Sequence, residues 1–320
     1  MSAPDDFQDR MLALGLGRVA EKAALATEDL IGRGDERAAD KAAGAAMETE
    51  LSRLDLRGTV VIGETDTDRM GVGASVGNGD GPELDVAVDP LEGTTLTAKD
   101  LPNAMSVIAM APKGSITQVP NIYMEKLAFS GTYAPDTVTL DMTPTQRIEA
   151  LAKAKGCAPK DVTVCMLERP RHMPMIDELR GTGAAVRLIT DGDISAVINC
   201  AEPEDTGIDM YMGSGGAPEG VLAAAALKCL DGHFYGQLIY RNDDERHLAR
   251  SFGIRELDRV YTRDELVTDH VIFAATGVTN SSLLRGMIRA PRYVQTETLL
   301  MRSKTGSIRR MSYRIPRTRS

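Results

Sequence analysis

The chain has 320 residues, with 37 Lys and Arg against 46 Asp and Glu, which gives a formal net charge of −9 at pH 7. A hydrophobic content of 42% is ordinary for a globular protein and excludes a disordered or fibrous chain. The acidic balance, the lack of Trp and the few Phe residues argue against nucleic acid as a partner.

The sequence contains no apolar run of the roughly 18 residues needed to span a bilayer. Its first residues also lack a basic region followed by an apolar one. We therefore expect no membrane partner and a cytoplasmic location. The cysteines lie in or beside apolar stretches without C-x-x-C spacing, so we expect buried thiols rather than zinc ligands or disulfides.

Two helices are predicted to open the chain, and short strands follow them. Apolar residues at helical spacing predict a first helix over 11–31. Asp35 follows a glycine-rich break and is the expected N-cap of a second helix that ends near residue 54. Runs bounded by Gly, Asp and Pro, mostly rich in β-branched residues, then predict strands over 59–63, 84–88 and 105–110.

Beyond about residue 143 the pattern alternates strand, helix and strand, which is typical of an α/β fold. We place a boundary near residue 145, although no clear linker marks it. Pro218, in the Gly-rich turn 213–220, suits the first turn of an Ala-rich helix over 221–230 because its missing N–H costs nothing there. The other expected elements lie at 162–167, 172–180, 185–189, 194–200, 234–240, 243–252, 271–275 and 296–301.

Carboxylates recur at the ends of predicted strands, where open α/β sheets place their ligands. Glu64 ends one strand, and a sharp turn at Pro90 is expected to bring Asp89 and Glu92 to one place. Acids gathered in this way repel one another unless a hard divalent cation such as Mg²⁺ lies between them. The following Gly93-Thr94 predicts a helix start whose free N–H groups suit a phosphate. This pattern favours metal-assisted phosphoryl chemistry, and further acids occur at Asp191, Asp193 and Glu219.

The segment 89–94 resembles the Asp-Pro-Ile/Leu-Asp/Glu-Gly-Thr motif of the lithium-sensitive sugar and inositol phosphatase superfamily. Its other motifs follow the order found in class II fructose-1,6-bisphosphatases, and this resemblance covers about residues 19–310. Tyr-Met-Glu-Lys-Leu at 123–127 and Gly-Gly-Ala-Pro-Glu-Gly at 215–220 are the most specific of them. The remaining motifs are Gly32–Asp35 with Asp40, Val61–Glu64, Asn121-Ile122, Arg169–His172 and Asp191–Asp193.

The resemblance implies an α/β fold, a layered αβαβα sugar-phosphatase arrangement with two mixed sheets, usually assembled as a dimer or tetramer. It implies a metal-binding half over 1–145 and a substrate-binding half over 146–320. The implied activity is hydrolysis of the 1-phosphate of fructose 1,6-bisphosphate, in gluconeogenesis or the Calvin cycle, with two or more Mn²⁺ or Mg²⁺ ions. Sugar bisphosphate is thus the expected partner.

The resemblance also assigns roles to individual residues. The implied metal ligands are Asp40, Glu64, Asp89, Glu92 and Glu219. The implied substrate contacts are Glu92, Gly93, Thr94, Tyr123, Arg169, Pro170, Arg171, Asp191, Gly192, Asp193 and Gly216. Asp68 and Thr94 are the implied pair that positions or deprotonates the attacking water, and Glu219 completes the catalytic set. His172 is expected to cap a helix rather than to act in catalysis.

The sequence departs from the family pattern at three places. Glu36 stands where many members have Lys, which leaves Arg37 as the candidate substitute. The loop after Glu64 is shorter than usual, and Arg169 replaces a Lys of some members. Three alternatives therefore stay open: sedoheptulose-1,7-bisphosphatase activity, alone or in addition; an inositol monophosphatase-like enzyme; and a catalytically inactive sugar-phosphate sensor. The basic stretch after residue 300 is expected to be a strand followed by a frayed tail.

Overall fold

The computed structural model describes residues 3–63 and 70–317, with side chains from residue 10 onward. The chain divides into two compact units: Met1–Thr117 joined by Val267–Ser320, and Gln118–Leu266. The boundary expected near residue 145 falls inside the second of these units. The last part of the chain belongs to the first unit because its strand at 272–277 pairs with the strand at 105–112.

Two helices open the described chain, and four strands close it. The helices are α1 (Ala3–Ala26), α2 (Glu36–Leu51), α3 (Thr94–Lys99), α4 (Pro144–Lys155), α5 (Met173–Gly181), α6 (Asp193–Asn199), α7 (Pro203–Thr206), α8 (Ala217–Leu230), α9 (Asp243–Ser251) and α10 (Arg263–Leu266). The strands are β1 (Arg57–Ile62), β2 (Ser75–Val76), β3 (Glu83–Glu92), β4 (Met105–Pro112), β5 (Tyr123–Phe129), β6 (Thr163–Leu167), β7 (Ala185–Ile189), β8 (Met210–Gly216), β9 (His233–Ile239), β10 (Val260–Thr262), β11 (Ile272–Gly277), β12 (Ile288–Ala290), β13 (Tyr293–Arg302) and β14 (Ser307–Pro316).

The two opening helices form as predicted, with earlier ends. Asp35 is the N-cap of α2, and its carboxylate accepts a hydrogen bond from the Ala38 amide at 2.9 Å. Helix α1 ends at Ala26 because the Thr27 hydroxyl donates to the Ala24 carbonyl, and the chain then tightens into a 3₁₀ turn at 28–30. The predicted ends at residues 31 and 54 were therefore several residues too late.

The first unit contains a mixed sheet with α1, α2 and α3 packed beside it. In the described residues the strand order is β12-β13-β11-β4-β3-β1-β2, and β14 pairs with β13. Strands β1 and β3 are parallel, with Ile62 opposite Ala87, so both strands end at the same edge of the sheet. The core on the helix side includes Leu16, Val19 and Met47 together with Val60 and Ile108.

Strand β14 carries the basic stretch predicted near the end of the chain. It pairs along its whole length with β13, from Ser307 opposite Arg302 to Pro316 opposite Tyr293. Arg309, Arg310 and Arg314 are exposed on it. The expectation of a strand with solvated cations is therefore confirmed, whereas the end of the expected tail lies outside the described residues.

The second unit contains another mixed sheet, with strand order β10-β9-β5-β8-β6-β7 in the described residues. Strands β6, β7 and β8 run parallel to one another, so their carboxyl ends meet at one edge. Strand β5 is antiparallel to β8 and β9, and it begins at that same edge with Tyr123 opposite Gly216 and Ile239. An α/β fold with two mixed sheets is thus confirmed.

Helices cover both faces of the second sheet. Ile148 of α4 and Leu179 of α5 pack with Leu127, Met166 and Met212 on one face. Helix α8, which runs against α6, is apolar and buried over almost its whole length, as expected of a helix enclosed by its own unit. This burial fixes the first turn of α8 and the side chains on it.

The cysteines are free, and Cys165, Cys200 and Cys229 are buried, while Cys157 is half-buried. Burial raises the pKa of the Cys165 thiol to about 12, so this side chain is inert and uncharged at neutral pH. The expectation of buried, unpaired thiols is confirmed for these three. In the part of the chain that the structure describes, no helix has the length and apolar character needed to cross a membrane.

Candidate active site

The turn predicted at Pro90 is a bulge at the end of β3. Asp89 lies opposite Val107 of β4, but the next paired residue is Glu92, opposite Met105. Pro90 and Leu91 therefore lie opposite the single residue Ser106, so the strand carries one extra residue here. The Leu91 amide donates to Asp89 Oδ1 at 3.2 Å. A bulge bends a strand and re-aims its side chains, which is common next to active sites.

Glycine is required directly after this bulge. Gly93 has φ of 84°, a left-handed conformation that favours glycine, and a Cβ there would lie 2.8 Å from Leu96 Cδ1. Helix α3 begins at Thr94 as predicted, and Thr94 is half-buried. The predicted residues Asp89, Glu92, Gly93 and Thr94 thus occupy one continuous strand-to-helix corner.

Asp40 lies half-buried on the second turn of α2. The loop before α2 is tied to α3, because the Gly32 and Gly34 amides donate to the Thr97 and Ala98 carbonyls at 2.9 Å each. These two bonds hold the start of α2 against the helix that follows the Asp89–Thr94 corner. Within the first unit, Asp40 is therefore on an element fixed to that corner.

Two of the predicted residues, Glu64 and Asp68, lie outside the described residues. The described chain stops at Gly63 and resumes at Met70, whose carbonyl would lie 2.2 Å from a Cβ at Gly63. Only glycine permits this close approach. The roles of Glu64 and Asp68 stay predictions.

In the second unit, the predicted substrate residues gather at the sheet edge where β6, β7 and β8 end. Arg169–Arg171 follow β6, Asp191–Asp193 follow β7, and Glu219 follows β8. Tyr123 begins β5 at this edge. The predicted substrate residues therefore lie at the carboxyl ends of parallel strands, where open α/β sheets place their ligands.

Arg171 is held at this edge by Ser214 and Tyr123. Its Nε donates to Ser214 Oγ at 2.9 Å, and its second guanidinium nitrogen donates to the Ser214 carbonyl at 2.5 Å. The guanidinium also lies over the Tyr123 ring, 4.7 Å from its centroid. Arg241, which follows β9, lies over the same ring at 5.1 Å. Two guanidinium groups thus share one aromatic side chain.

His172 connects the loop that carries Arg171 to β8 through hydrogen bonds. Its Nδ1 is 2.8 Å from the Leu167 carbonyl, and its Nε2 accepts a hydrogen bond from the Ser214 amide at 2.9 Å. This pattern of hydrogen bonds requires a neutral ring with its proton on Nδ1. Burial lowers the pKa of His172, and the nearby charges of Arg171 and Arg169 lower it further. His172 occupies the N-cap position of α5 as expected, but its side chain makes no capping hydrogen bond.

Asp191 and Asp193 have different surroundings, although one residue separates them. Asp191 is partly exposed, 3.7 Å from an Arg169 nitrogen, and Arg169 also donates to the Thr190 carbonyl at 2.5 Å. Gly192 between them has φ of 85° and starts α6. Asp193 is buried, and its Oδ2 lies 2.7 Å from Lys126 Nζ.

Glu219, in the first turn of α8, folds back over Gly216. A Cβ at Gly216 would lie 2.0 Å from Glu219 Oε2, so only glycine leaves room for this carboxylate. Oε2 is buried and has no hydrogen-bond partner among the described residues. Burial raises the pKa of Glu219. The positive charge of Lys126 opposes this rise, whereas the negative charge of Asp193 adds to it. A buried carboxylate oxygen without a donor fits a hard cation.

Among the described residues, no three His, Cys, Asp or Glu side chains lie close enough together to form a metal site. The predicted ligands are divided between the two units, and Glu64 is not described. The donor chemistry of the described ligands still fits Mg²⁺ or Mn²⁺, because all are carboxylates.

Three residues at the second-unit edge were missed by the sequence reasoning: Lys126, Ser214 and Arg241. Lys126 lies inside the motif at 123–127, and Ser214 directly precedes the motif at 215–220. The sequence signal for Lys126 was a lysine within an apolar strand. Ser214 is a polar residue in a glycine run. Arg241 carried no sequence signal, since an arginine after a strand is usually solvated.

Comparison with known proteins agrees with this chemistry. Residues 10–314 match the family described as bacterial fructose-1,6-bisphosphatase, glpX-encoded. Fructose-1,6-bisphosphatase 1 class 2 of Escherichia coli K12 and fructose-1,6-bisphosphatase class 2 of Shigella flexneri are each 40% identical to this chain over 318 residues, covering 94% of both chains.

Two solved structures resemble parts of the fold. The extragenic suppressor protein SuhB of Bartonella henselae has a TM-score of 0.36 and 14% identity, covering 59% of this chain and 74% of its own. Inositol monophosphatase of Anabaena has a TM-score of 0.32 and 16% identity, covering 60% and 72%. On the family match and the 40% identity, the chain belongs to the class II fructose-1,6-bisphosphatases, phosphoric monoester hydrolases that act on fructose 1,6-bisphosphate.

Proposed function

We propose that the chain removes the 1-phosphate of fructose 1,6-bisphosphate with two or more Mn²⁺ or Mg²⁺ ions. Family membership implies dependence on a divalent metal in general terms, and the identity and number of the ions belong to this proposal. The observation that carries it is the Glu219 carboxylate, whose buried Oε2 has no hydrogen-bond donor among the described residues.

The proposed metal ligands are Asp40, Glu64, Asp89, Glu92 and Glu219. Bound cations would polarise the phosphoryl group and stabilise charge on the leaving oxygen. The bulge after Asp89 and the glycine beneath Glu219 support this assignment, because each sets the direction of a carboxylate through the backbone. A carboxylate fixed in this way loses little conformational entropy when it binds an ion.

Arg169 and Arg171 are proposed to hold the phosphate that is not cleaved. A guanidinium presents a planar pair of donors that matches phosphate oxygens. Arg171 suits this role because Ser214 and the Tyr123 ring already fix its position. Asp191 is partly exposed and suits a hydrogen bond from a sugar hydroxyl. Further proposed substrate contacts are Glu92, Gly93, Thr94, Pro170, Gly192 and Gly216. Asp193, which is buried, is proposed as a substrate contact as well.

Asp68 and Thr94 are proposed to position or deprotonate the attacking water, with the Asp68 carboxylate as the group that accepts the proton. The water oxygen forms a bond to phosphorus while the bond from phosphorus to the sugar oxygen breaks. That sugar oxygen takes up a proton and leaves as the hydroxyl of fructose 6-phosphate. Thr94 supports this role by its position at the corner directly after Glu92 and Gly93.

Phosphate release from three substrates tests the proposal: fructose 1,6-bisphosphate, sedoheptulose 1,7-bisphosphate and inositol 1-phosphate, each with Mn²⁺, Mg²⁺ or EDTA. We expect release from fructose 1,6-bisphosphate with either metal and none with EDTA. Activity that persists in EDTA contradicts the metal assignment. Binding of fructose 1,6-bisphosphate without turnover at any metal concentration identifies a sensor instead, and equal rates on the heptulose identify a bifunctional enzyme.

Two further properties of the protein stay predictions: its assembly as a dimer or tetramer and its cytoplasmic location. Glu36 and Arg37 are both exposed at the start of α2. Arg37 is proposed to serve in place of the lysine that other members carry beside Asp35.

A further inference from the structure

Lys126 is a buried lysine on a central strand of the second unit. Its side chain is 1% exposed, and its Nζ lies 2.7 Å from Oδ2 of Asp193, whose side chain is 8% exposed. Burying a lone ammonium costs several kcal/mol, so the fold keeps this lysine only with its partner. Asp193 lies 67 positions away in the sequence, at the start of α6.

Glycines surround Lys126 on both neighbouring strands. It lies opposite Gly213 of β8 and Gly236 of β9. A Cβ at Gly215 would lie 2.5 Å from Asp193 Oδ2 and 3.3 Å from Lys126 Nζ, and a Cβ at Gly220 would lie 3.3 Å from Lys126 Cε. The glycines of the 213–220 segment therefore make space for this ion pair as well as for Glu219.

The pair lies against the segment that carries Glu219. Gly215 and Gly220, which contact the pair, stand on either side of Glu219 in the sequence. Tyr211 of β8 also places its hydroxyl 3.4 Å from Asp193 Oδ2. Lys126 thus pairs directly with Asp193 and lies beside Gly220 in the first turn of α8, the turn that carries Glu219.

We propose that Lys126 is a positioning residue for Glu219: its ammonium anchors Asp193 and the glycine segment, and so fixes where the Glu219 carboxylate lies. This inference rests on the proposed role of Glu219 as a metal ligand. It assigns to Lys126 a role in metal affinity that requires no contact with substrate. Residues that orient metal ligands typically alter affinity by about 10- to 100-fold when they are changed.

Manganese binding to the EDTA-stripped full-length chain, followed by calorimetry, tests this role. The test variant is Lys126→Met with Asp193→Asn, which removes both charges and leaves no lone buried ion. The control is Lys155→Met with Asp209→Asn, the same change in another Lys–Asp pair of this unit, also 2.7 Å apart. The control pair lies at the other end of β8: Lys155 Nζ also donates to the Asp161 carbonyl, and Asp209 accepts from the Thr163 amide.

We expect the Lys126 double variant to bind Mn²⁺ about tenfold or more weakly than the parent, and the control to bind it within twofold. A change in thermal midpoint without a change in Mn²⁺ affinity overturns the inference, because that is the result of a purely structural pair. Failure of the proposed function is separate: Glu219→Gln would then leave Mn²⁺ binding at the parent level. If Glu219→Gln weakens binding and the Lys126 double variant does not, only the role of Lys126 is lost.

Discussion

Arg171 and Ser214 are joined by two hydrogen bonds, one to the serine hydroxyl and one to its carbonyl. The same serine donates its amide to His172. A residue of β8 therefore fixes both the cationic loop after β6 and the ring that supports it. Because Arg171 is proposed to hold phosphate, we expect Ser214 to affect substrate affinity without carrying charge.

Ser214→Ala should raise KM for fructose 1,6-bisphosphate and leave kcat nearly unchanged. The change removes the hydroxyl that receives Arg171 Nε, and a hydrogen bond with a charged partner contributes about 1.5–3 kcal/mol. We expect a KM about tenfold higher, and a larger rise for Arg171→Ala. Steady-state kinetics at saturating Mn²⁺ measures this. An Arg171→Ala variant with the parent KM would show that this arginine holds no phosphate.

Gly216→Ala should weaken Mn²⁺ binding, because the added methyl group would occupy the space of the Glu219 carboxylate at 2.0 Å. The control is Gly44→Ala on α2, where a Cβ meets nothing within 4 Å. That change should stabilise the helix by about 0.5–1 kcal/mol. Calorimetric Mn²⁺ titration and chemical denaturation of both variants measure the effects. Equal Mn²⁺ affinities would show that Glu219 is not held against Gly216 in solution.

The stability of the protein should fall as pH drops below the ordinary His pKa of 6.5, in part because of His172. Burial, with Arg171 and Arg169 adding to it, lowers the pKa of this ring in the folded state. The contribution of His172 to the free energy of unfolding is therefore fully present above pH 6.5. It is lost as the pH falls toward the pKa of the folded state, since the unfolded chain takes up the proton first.

His172→Gln tests this pH dependence, because the glutamine carbonyl can still accept the Ser214 amide but does not titrate. Unfolding free energies from urea titrations at pH 7 and pH 5.5 should differ less in the variant than in the parent. An identical pH dependence in His172→Gln and the parent would assign the effect to other groups.

Local sequence patterns predicted much of the fold, and for physical reasons. The Asp35 N-cap depends on a side chain and an amide three residues apart, and the corner at Asp89–Thr94 depends on a proline and a glycine within six residues. Strand 185–189 was predicted with its observed bounds, since Gly183 lies shortly before it and Asp191-Gly192 shortly after it. Such features are encoded by adjacent residues.

Features that depend on topology could not be predicted in this way. The Lys126–Asp193 pair joins a strand to a helix start through a sheet order that no local pattern specifies. The return of β11 to pair with β4 likewise explains why the compact units are not divided near residue 145. The segment 213–220 was predicted as a turn before a helix, whereas its first part ends β8 and its second part begins α8. Three of its glycines also make space for buried carboxylates and for Lys126.

Carboxylates of this chain are proposed to bind the metal on which hydrolysis depends. Phosphate release from fructose 1,6-bisphosphate at saturating Mn²⁺ by Asp89→Asn and Glu219→Gln tests this proposal most directly. Glu149→Gln, an exposed acid on α4, is the matched control. We predict that both site variants fold but lose activity by about a hundredfold or more, while the control keeps it. Parent-level activity in either site variant would show that the changed residue is not a ligand of the metal that hydrolysis needs.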